Sequence, residues 1–283
     1  MTDTTKIIRT VMKETYGRDL SCYDEPFLKR TLHIRCSLTG LKTLAEYGEY
    51  LSRQPEEARA FAQSLVVSYS EFFRDTLTFA VLETVVIPLL QKRSNGRTIR
   101  IWSVGCSAGE EAYSLAILFE ELVQGLGIPV PYQIFATTMN AQDLERAQAG
   151  VYEAMAVRNV RLSHLERYFQ RVESRYAVNP GLHRQIDFSL YDLLDHAFTS
   201  PPSSIYGEFD LMVCSNVLMY YQQEIREQMV KKLFQSLVPG GFFSTSEAEK
   251  DCLERISGCQ PLISSTAVYR RGRVLALQQM DER

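Results

Sequence analysis

Short apolar runs alternate with amphipathic stretches from about residue 76 onward, and this alternation limits the fold more than any other feature of the 283-residue sequence. An apolar run that stops at a turn predicts a buried strand, whereas apolar residues at helical spacing predict a helix. Such alternation is typical of a mostly parallel sheet with helices on both faces, so we predict an α/β fold. The predicted strands are residues 99–104, 132–137, 186–190 and 209–214, the predicted helices are 110–122, 141–149 and 223–237, and a turn at 238–241 leads into residues 242–243.

Two regions of the sequence do not follow this alternation. Residues 1–75 have apolar positions at helical spacing and predict an N-terminal all-α domain. Residues 151–184 contain short β-prone runs before the turn Asn179-Pro-Gly181 and predict a small inserted β-subdomain with a hairpin. The second domain is therefore predicted to span residues 76–283 and to carry this insertion. Breaks between the N-terminal helices are predicted at residues 16–19, 39–40 and 54–55.

Charge and cysteine content argue against several classes of protein. Lys and Arg number 31 and Asp and Glu number 34, which gives a net charge of −3 and argues against a nucleic-acid-binding protein. No apolar run approaches the roughly 20 residues of a membrane-spanning helix, and the first residues do not form a secretory signal, so we expect no membrane insertion. Six dispersed cysteines without a Cys-x-x-Cys pair indicate reduced thiols in a cytoplasmic protein without a zinc site.

A glycine-rich turn, Gly105-Cys-Ser-Ala-Gly109, follows the first predicted strand and opens a helix. Glycine allows the backbone to bend sharply and to approach a ligand closely, although a plain strand-to-helix turn explains these glycines equally well. The Gly-x-x-x-Gly spacing differs from the Gly-x-Gly-x-x-Gly pattern of nicotinamide sites. Glu110 and Glu111 complement the helix dipole, but they also oppose a phosphate group and suit a ligand with an ammonium group.

Residues 101–114, which contain this turn, resemble the S-adenosylmethionine motif of the CheR-type chemoreceptor glutamate methyltransferases. Three further segments resemble the family in the same order: 70–75 (Ser-Glu-Phe-Phe-Arg-Asp), 214–221 (Cys-Ser-Asn-Val-Leu-Met-Tyr-Tyr) and 239–247, with Pro-Gly-Gly and Ser-Glu. Residues 17–32 fit the family's helical domain. The resemblance covers nearly the whole chain. It implies a class I S-adenosylmethionine-dependent methyltransferase with a Rossmann-like, mostly parallel sheet that forms glutamate methyl esters on chemoreceptors and leaves S-adenosyl-L-homocysteine.

The resemblance also assigns roles to individual residues. Arg74 would point into the cofactor pocket and, with Tyr220, serve the methyl-transfer centre, while Glu111 would hold the methionyl ammonium. The alternative for Arg74 is a surface ion pair with Asp75, which its place within Phe-Phe-Arg-Asp disfavours. Without the family, Asp192 is equally a turn cap and Tyr220 equally a core residue. The implied cofactor-binding residues are Ser68, Ser70, Arg74, Gly105, Glu111, Thr138, Asp192, Leu193, Ser215 and Asn216.

Several positions depart from the family pattern. Thr138 stands where the family has the aspartate that binds both ribose hydroxyls, Ser215 where it has arginine, and Thr245 where it has histidine; Ser68 also replaces an asparagine. A neutral hydrogen bond contributes about 1 kcal/mol against about 1.5–3 for a charged one, so we expect about tenfold weaker cofactor binding. Asn140 or Asp143 is a candidate to compensate for the missing carboxylate.

A basic segment with no acidic residue lies between Glu25 and Glu46. In a helix its cations share one face, which is either a solvated surface or a docking site for an acidic helix. The absence of acid favours docking, and in the family such a helix contacts the helical cytoplasmic region of the receptors. The cations of the shared face are Lys29, Arg30 and His33, and the apolar residues predicted on the opposite side are Phe27, Ile34 and Leu38.

The inserted subdomain bears on a second mode of docking. Family members that bind a receptor's C-terminal pentapeptide carry a longer loop here, whereas residues 172–175 form a predicted connection of four residues, which suits a tight hairpin. We therefore expect pentapeptide-independent docking, and we expect a monomer.

Three functions remain open from the sequence. The first is an active protein-glutamate methyltransferase, favoured by Arg74, Glu111, Asn216 and Tyr220. The second is a degenerate relative that binds the cofactor or a partner and acts as a regulatory binding protein, favoured by Thr138 and Ser215. The third, a nicotinamide dehydrogenase, fits the alternation but not the glycine spacing. Carboxylate methylation needs no general base, because glutamate with a pKa of about 4.3 is already ionised at neutral pH.

Overall fold

The computed structural model describes residues 3–195, 197–204 and 207–272, and the chain forms two compact units. One unit comprises residues 1–68 and 218–228, and the other comprises residues 69–217 and 229–283. These units differ from the predicted boundary at residue 75 because Phe72 and Phe73 are buried in the core of the second unit. Residues 196, 205–206 and 273–283 of the predicted second domain lie outside the described residues.

The first unit is helical, as the sequence predicts. Local signals delimit the helices: Gly17 follows the first helix at φ +64°, and Asp24 caps the second by accepting from the Phe27 amide at 3.4 Å. Thr43 and Glu46 form a capping box at the start of the third. The three predicted breaks are confirmed. The helices are α1 (Asp3–Tyr16), α2 (Glu25–Leu38), α3 (Leu44–Arg53) and α4 (Pro55–Ser64).

Residues 218–228 join the first unit through a small aromatic contact. The Tyr221 ring stacks on Tyr23 at 5.4 Å between centroids. The Asp24 amide donates to the Tyr220 carbonyl at 2.9 Å, and the Gln222 amide donates to the Cys22 carbonyl at 2.8 Å. These bonds connect segments that are almost two hundred residues apart in sequence, and so no local pattern marks them.

The second unit contains a seven-stranded sheet in the order β6-β2-β1-β7-β8-β10-β9, whose first five strands are parallel. This arrangement confirms the predicted α/β fold. Strand order reverses between β1 and β7, where open α/β sheets bind their ligands at the carboxyl ends of the strands. The strands are β1 (Ile99–Val104), β2 (Tyr132–Thr138), β6 (Ile186–Leu190), β7 (Phe209–Cys214), β8 (Leu237–Thr245), β9 (Cys259–Pro261) and β10 (Val268–Arg271).

The helices of this unit cover the sheet, and none of the helices in the described part of the chain is long and apolar enough to cross a membrane. Helix α7 extends beyond its predicted end at residue 122 and is closed by Gly127, which has φ +65°. The helices are α5 (Thr76–Val81), α6 (Ile87–Ser94), α7 (Glu110–Leu126), α8 (Ala141–Ala149), α9 (Leu162–Tyr168), α10 (Pro180–His183), α11 (Gln223–Ser236) and α12 (Lys250–Glu254), with a π-helical turn at Leu82–Val86 between α5 and α6.

The predicted turn at residues 238–241 is instead part of β8. Phe209 pairs with Leu237, and two residues later Leu211 pairs with Phe242, so the extra residues form a bulge opposite β7. Gly240 at φ +76° provides the bend that the bulge requires. The predicted helix over 223–237 ends one residue earlier for the same reason, because Leu237 pairs with Phe209.

The inserted subdomain is a three-stranded antiparallel sheet in the order β3-β5-β4. The predicted hairpin is present, but its connection is two residues long and not four, since Val172 pairs directly with Arg175. Glu173 at φ +53° and Ser174 make the turn. The strands are β3 (Val151–Glu153), β4 (Phe169–Val172) and β5 (Arg175–Val178).

Candidate functional site

The glycine turn after β1 lies at the point where the strand order reverses. Gly105 has φ +70°, and a Cβ atom at this position would lie 2.5 Å from Cγ2 of Val217, which follows β7. Gly109 has φ +96°, and its Cβ would lie 3.0 Å from that of Ala147. Both positions therefore require glycine, and the first of them brings the loops after β1 and β7 into direct contact.

Glu111 lies half-buried in the first turn of α7. Its Oε1 accepts a hydrogen bond from Oγ of Ser103 at 2.7 Å, and Ser215 supplies a second hydroxyl. Burial raises the pKa of Glu111 to about 7, the negative charge of Glu249 adds to the shift, and the two serines and the positive charge of Arg74 oppose it. A ligand cation would stabilise the ionised form, so this carboxylate fits the methionyl ammonium of S-adenosylmethionine.

Asn216 holds the loop after β7 in a left-handed conformation, at φ +58°. Its amide donates to Oε2 of Glu249 at 2.7 Å. Glu249, with 1% of its surface exposed, was not identified from the sequence, which matched the family's glutamate to Glu247. Glu247 is instead a half-exposed partner of Lys250. The one available signal was a second acid two residues further along the chain.

Arg74 is exposed, and its neighbours fix its position. Its guanidinium lies 5.0 Å from the centre of the Tyr69 ring, and Nη1 donates to the Tyr69 carbonyl at 3.2 Å. Phe73 adopts φ +51° and donates its amide to Oγ of Ser114 at 3.1 Å. Asp75 caps α5 by accepting hydrogen bonds from the Thr78 amide at 3.2 Å and from the Thr78 hydroxyl at 2.7 Å. Asp75 therefore serves as a helix cap and does not form the alternative surface ion pair with Arg74.

A second buried carboxylate supports this segment. Glu71 accepts two bonds from the Arg158 guanidinium, at 2.5 and 3.1 Å, one from Asn159 at 3.0 Å and one from the Tyr69 hydroxyl. Glu71 thereby connects Tyr69, on whose ring Arg74 packs, to Arg158 and Asn159 of the inserted subdomain. Sequence reasoning missed Glu71, because its partners Arg158 and Asn159 lie almost ninety residues away.

The polar groups after β2 and β6 mainly satisfy their own loops. Thr138 is buried, and its Oγ1 accepts from the Asn140 amide at 3.3 Å. Asp192 is exposed and caps a turn by accepting from the Leu194 amide at 2.9 Å. Leu193 is buried, and its carbonyl accepts from Lys232 at 3.1 Å.

Both candidates for the missing carboxylate have partners in α8. The Asn140 side chain caps α8 by accepting from the Gln142 amide at 2.9 Å. Asp143 is buried and lies 3.6 Å from the Arg146 guanidinium.

The remaining predicted site residues divide between the two units. Ser70 is half-buried in the second unit, while Ser68 and Tyr220 belong to the first. The Tyr220 ring packs on Phe27 at 4.8 Å between centroids. The site geometry of the second unit therefore brings together Arg74, Gly105, Glu111, Ser215 and Asn216.

The basic face of α2 has the predicted cations but a different apolar composition. Lys29 lies 3.3 Å from Glu25, Arg30 is exposed, and His33 is exposed with Nδ1 2.7 Å from the Lys29 carbonyl. Contrary to the prediction of an opposite apolar side, Ile34 and Leu38 are 51% and 70% exposed. The buried stripe follows a different helical phase and consists of Leu28, Thr31, Leu32 and Cys36.

Comparison with known proteins gives a consistent result. Residues 68–251 match the family model of the CheR methyltransferase SAM-binding domain, and residues 4–66 match that of the CheR methyltransferase all-alpha domain. Chemotaxis protein methyltransferase 1 of Pseudomonas aeruginosa is 31% identical over 250 residues, which cover 86% of this chain and 89% of that protein. The chemotaxis protein methyltransferase of Listeria innocua is 32% identical over 243 residues, covering 85% of this chain and 87% of that protein.

A third relative, the probable biofilm formation methyltransferase WspC of Pseudomonas aeruginosa, is 30% identical over 264 residues, which cover 92% of this chain and 60% of that protein.

The matches confirm the predicted fold class and the S-adenosylmethionine cofactor. They contradict the nicotinamide dehydrogenase and favour an active methyltransferase over the regulatory alternative. The chain therefore belongs to the CheR methyltransferase family and is an S-adenosylmethionine-dependent methyltransferase of the chemotaxis type.

Proposed function

We propose that this protein methylates glutamate side chains in the cytoplasmic helical region of chemoreceptors and so forms glutamate methyl esters. The observation that carries the proposal is the half-buried Glu111, which two serine hydroxyls hold at the reversal of strand order. This anionic group suits the amino-acid end of S-adenosylmethionine in a chain whose relatives are chemotaxis methyltransferases.

The reaction makes few demands on the side chains of the protein. S-adenosylmethionine supplies an electrophilic methyl carbon bound to a sulfonium sulfur. A glutamate oxygen forms a bond to this carbon as the carbon–sulfur bond breaks, which yields the methyl ester and S-adenosylhomocysteine with no proton transferred. The protein must hold both reactants in line, and such alignment contributes up to about 7–11 kcal/mol.

Arg74 is the residue best suited to orient the acceptor. A guanidinium binds a carboxylate through two parallel hydrogen bonds, and the Tyr69 ring and carbonyl already limit the conformations of this one. We propose that Tyr220 assists at the same centre. Besides Glu111, the predicted cofactor contacts are Ser68, Ser70, Arg74 itself, Gly105, Thr138, Asp192, Leu193, Ser215 and Asn216.

The same proposal includes receptor docking on α2. Lys29, Arg30 and His33 match an acidic helix, and the exposed Ile34 and Leu38 provide apolar surface beside these cations. The two-residue turn at Glu173 leaves little backbone for an added peptide strand, which supports pentapeptide-independent docking.

The nature of the ester tests the reaction. A purified receptor cytoplasmic fragment is incubated with the protein and with S-adenosylmethionine labelled in its methyl group. Carboxyl methyl esters release methanol in alkali, so the label is expected to become volatile at high pH. Label that stays on the fragment in alkali would show another acceptor and contradict the proposal. An Arg74→Ala variant is expected to lose most of the incorporation.

Charge reversal tests the docking surface. Lys29→Glu combined with Arg30→Glu is expected to lower methylation of the fragment about tenfold at low salt, with a smaller effect at physiological salt, where charges are screened beyond about 8 Å. The control is Lys6→Glu with Arg53→Glu, two exposed positions of the same unit that give the same change in net charge. Equal loss in both double variants, or undiminished methylation in the first, would refute docking on this face.

A further inference from the structure

Glu249 is the most deeply buried carboxylate near the site. It ends a short 3₁₀ segment after β8 and is 1% exposed. One oxygen, Oε2, accepts from the Asn216 amide and the Ser246 hydroxyl, both at 2.7 Å. The Thr245 hydroxyl lies 2.9 Å from the same oxygen and 2.8 Å from the Cys214 carbonyl, so it can donate to one of them at a time.

These bonds connect three neighbouring strand ends. Asn216 follows β7, Ser246 follows β8, and Val217, next to Asn216, touches the Gly105 turn after β1. The left-handed conformation of Asn216 is one that few residues adopt, and a charge-assisted bond from its amide stabilises it. Without the carboxylate, the part-buried Asn216 amide would lose its partner, and the loop that carries Asn216 and Ser215 would lose its anchor.

The charge of Glu249 also reaches Glu111. The two carboxylates repel one another, and this contributes to the raised pKa of Glu111. Arg74 also interacts with Glu111, and its positive charge opposes the rise in the pKa of Glu111. Two buried thiols, Cys106 and Cys214, lie near enough to feel these acids, and burial together with the acids raises the pKa of each thiol. The site therefore holds one buried and one half-buried acid against one exposed guanidinium.

We propose that Glu249 is a positioning residue of the cofactor pocket: it fixes the Asn216 loop against the Gly105 turn, and its negative charge makes the site around Glu111 selective for a cationic amino-acid group. Two carboxylates in low-polarity surroundings favour a bound cation more than one does. The proposal concerns the cofactor alone and does not depend on which side chain receives the methyl group.

The test is calorimetric titration with S-adenosylhomocysteine. Glu249→Gln keeps the size of the side chain and one acceptor oxygen but removes the charge, and it is expected to weaken binding about tenfold at pH 7.5. Glu247→Gln is the matched control: the same substitution two residues away on an acid that is paired with Lys250 at the surface, expected to change affinity less than twofold.

The pH dependence of S-adenosylhomocysteine affinity distinguishes an effect of the Glu249 charge on Glu111 from a purely structural role of Glu249. Free Glu111, with a pKa of about 7, must lose a proton to hold an ammonium, so affinity of the unmodified protein is expected to fall as pH drops below about 7. In Glu249→Gln the repulsion is gone, the pKa of Glu111 is lower, and the fall is expected to begin at lower pH. Weaker binding with an unchanged pH midpoint, or equal weakening in Glu247→Gln, would overturn the proposal.

A milder variant covers failure of Glu249→Gln to fold. Ser246→Ala removes one donor to the same oxygen and leaves the charge in place, so it is expected to weaken binding about threefold, with hydrogen exchange of the Asn216 amide becoming faster. Unchanged affinity together with unchanged exchange would count against the role of Glu249. The ester test stands apart, because it reads the acceptor and not cofactor affinity.

Discussion

The loops after β1, β7 and β8 differ sharply from the loops after β2 and β6. In the first group, Ser103 and Ser215 donate to Glu111, and the Asn216 amide donates to Glu249. In the second group, the polar side chains bond to amides of their own loops, as Thr138 does. The first group is preorganised around negative charge, whereas the second offers a ligand few uncommitted groups. We therefore expect cofactor recognition to be concentrated at the cationic end of the ligand.

The largest expected effect follows from removing the charge of Glu111. Glu111→Gln should weaken S-adenosylhomocysteine binding about tenfold to hundredfold, because a charged hydrogen bond contributes about 1.5–3 kcal/mol. Calorimetry at pH 8, with Glu145→Gln on the exposed face of α8 as control, measures the change. Unchanged affinity in the folded variant would remove the basis of the comparison.

The neighbouring Glu110 tests whether the first group of loops stores unfavourable electrostatic energy. It is 4% exposed, burial raises its pKa to about 7, and its Oε2 has no hydrogen-bond partner among the described residues. Because the pKa of Glu110 is higher in the folded protein than its unfolded value of 4.5, its protonation adds to the free energy of unfolding at pH values below 4.5. This contribution is lost as the pH rises through about 7.

Glu110→Gln removes this titration, so the variant should be more stable than the unmodified protein at pH 8 by on the order of 2 kcal/mol, and not at pH 5. Urea unfolding at the two pH values provides the measurement. A stability difference that does not change with pH would mean that Glu110 is ionised at little cost, and that the preorganisation lies elsewhere.

The ribose position offers a way to reverse the comparison. Thr138→Asp places a carboxylate at the end of β2, where the family has one, and should tighten S-adenosylhomocysteine about tenfold by two charged bonds. Thr138→Ser, which keeps a hydroxyl, serves as control and should change affinity little. A fall in affinity in Thr138→Asp would show that another residue already binds the ribose.

Which features the sequence predicts depends on how local their causes are. The bounds of β1 and α8 agree with prediction to the residue, because an apolar run ends at Gly105 and because Asn140 and Gly150 cap α8. The position of Glu111 beside the glycine turn is equally local, since the two adjoin in sequence.

Other features arise only from the folded chain. Glu249 and Glu71 act through partners on distant segments, and the identity of such partners leaves no periodic signal. The exposure of Ile34 and Leu38 depends on the phase of α2 against α3 and α4, which apolar counting on α2 alone does not fix. The bulge at Gly240 looked like a turn because the two share the same residue types.

The smallest effect is expected at Asp192. Its Oδ1 already accepts from the Leu194 amide at 2.9 Å, and the side chain is exposed, so solvent screens its charge. Asp192→Asn keeps an oxygen that can cap the same turn and should change S-adenosylhomocysteine affinity less than about threefold, in contrast to Glu111→Gln. Asp192→Ala, which removes the cap, distinguishes loss of the turn from loss of a ligand contact. If Asp192→Asn alone weakens binding tenfold or more, the charge at this position contacts the cofactor, and the loops after β2 and β6 contribute as much to recognition as those after β1, β7 and β8.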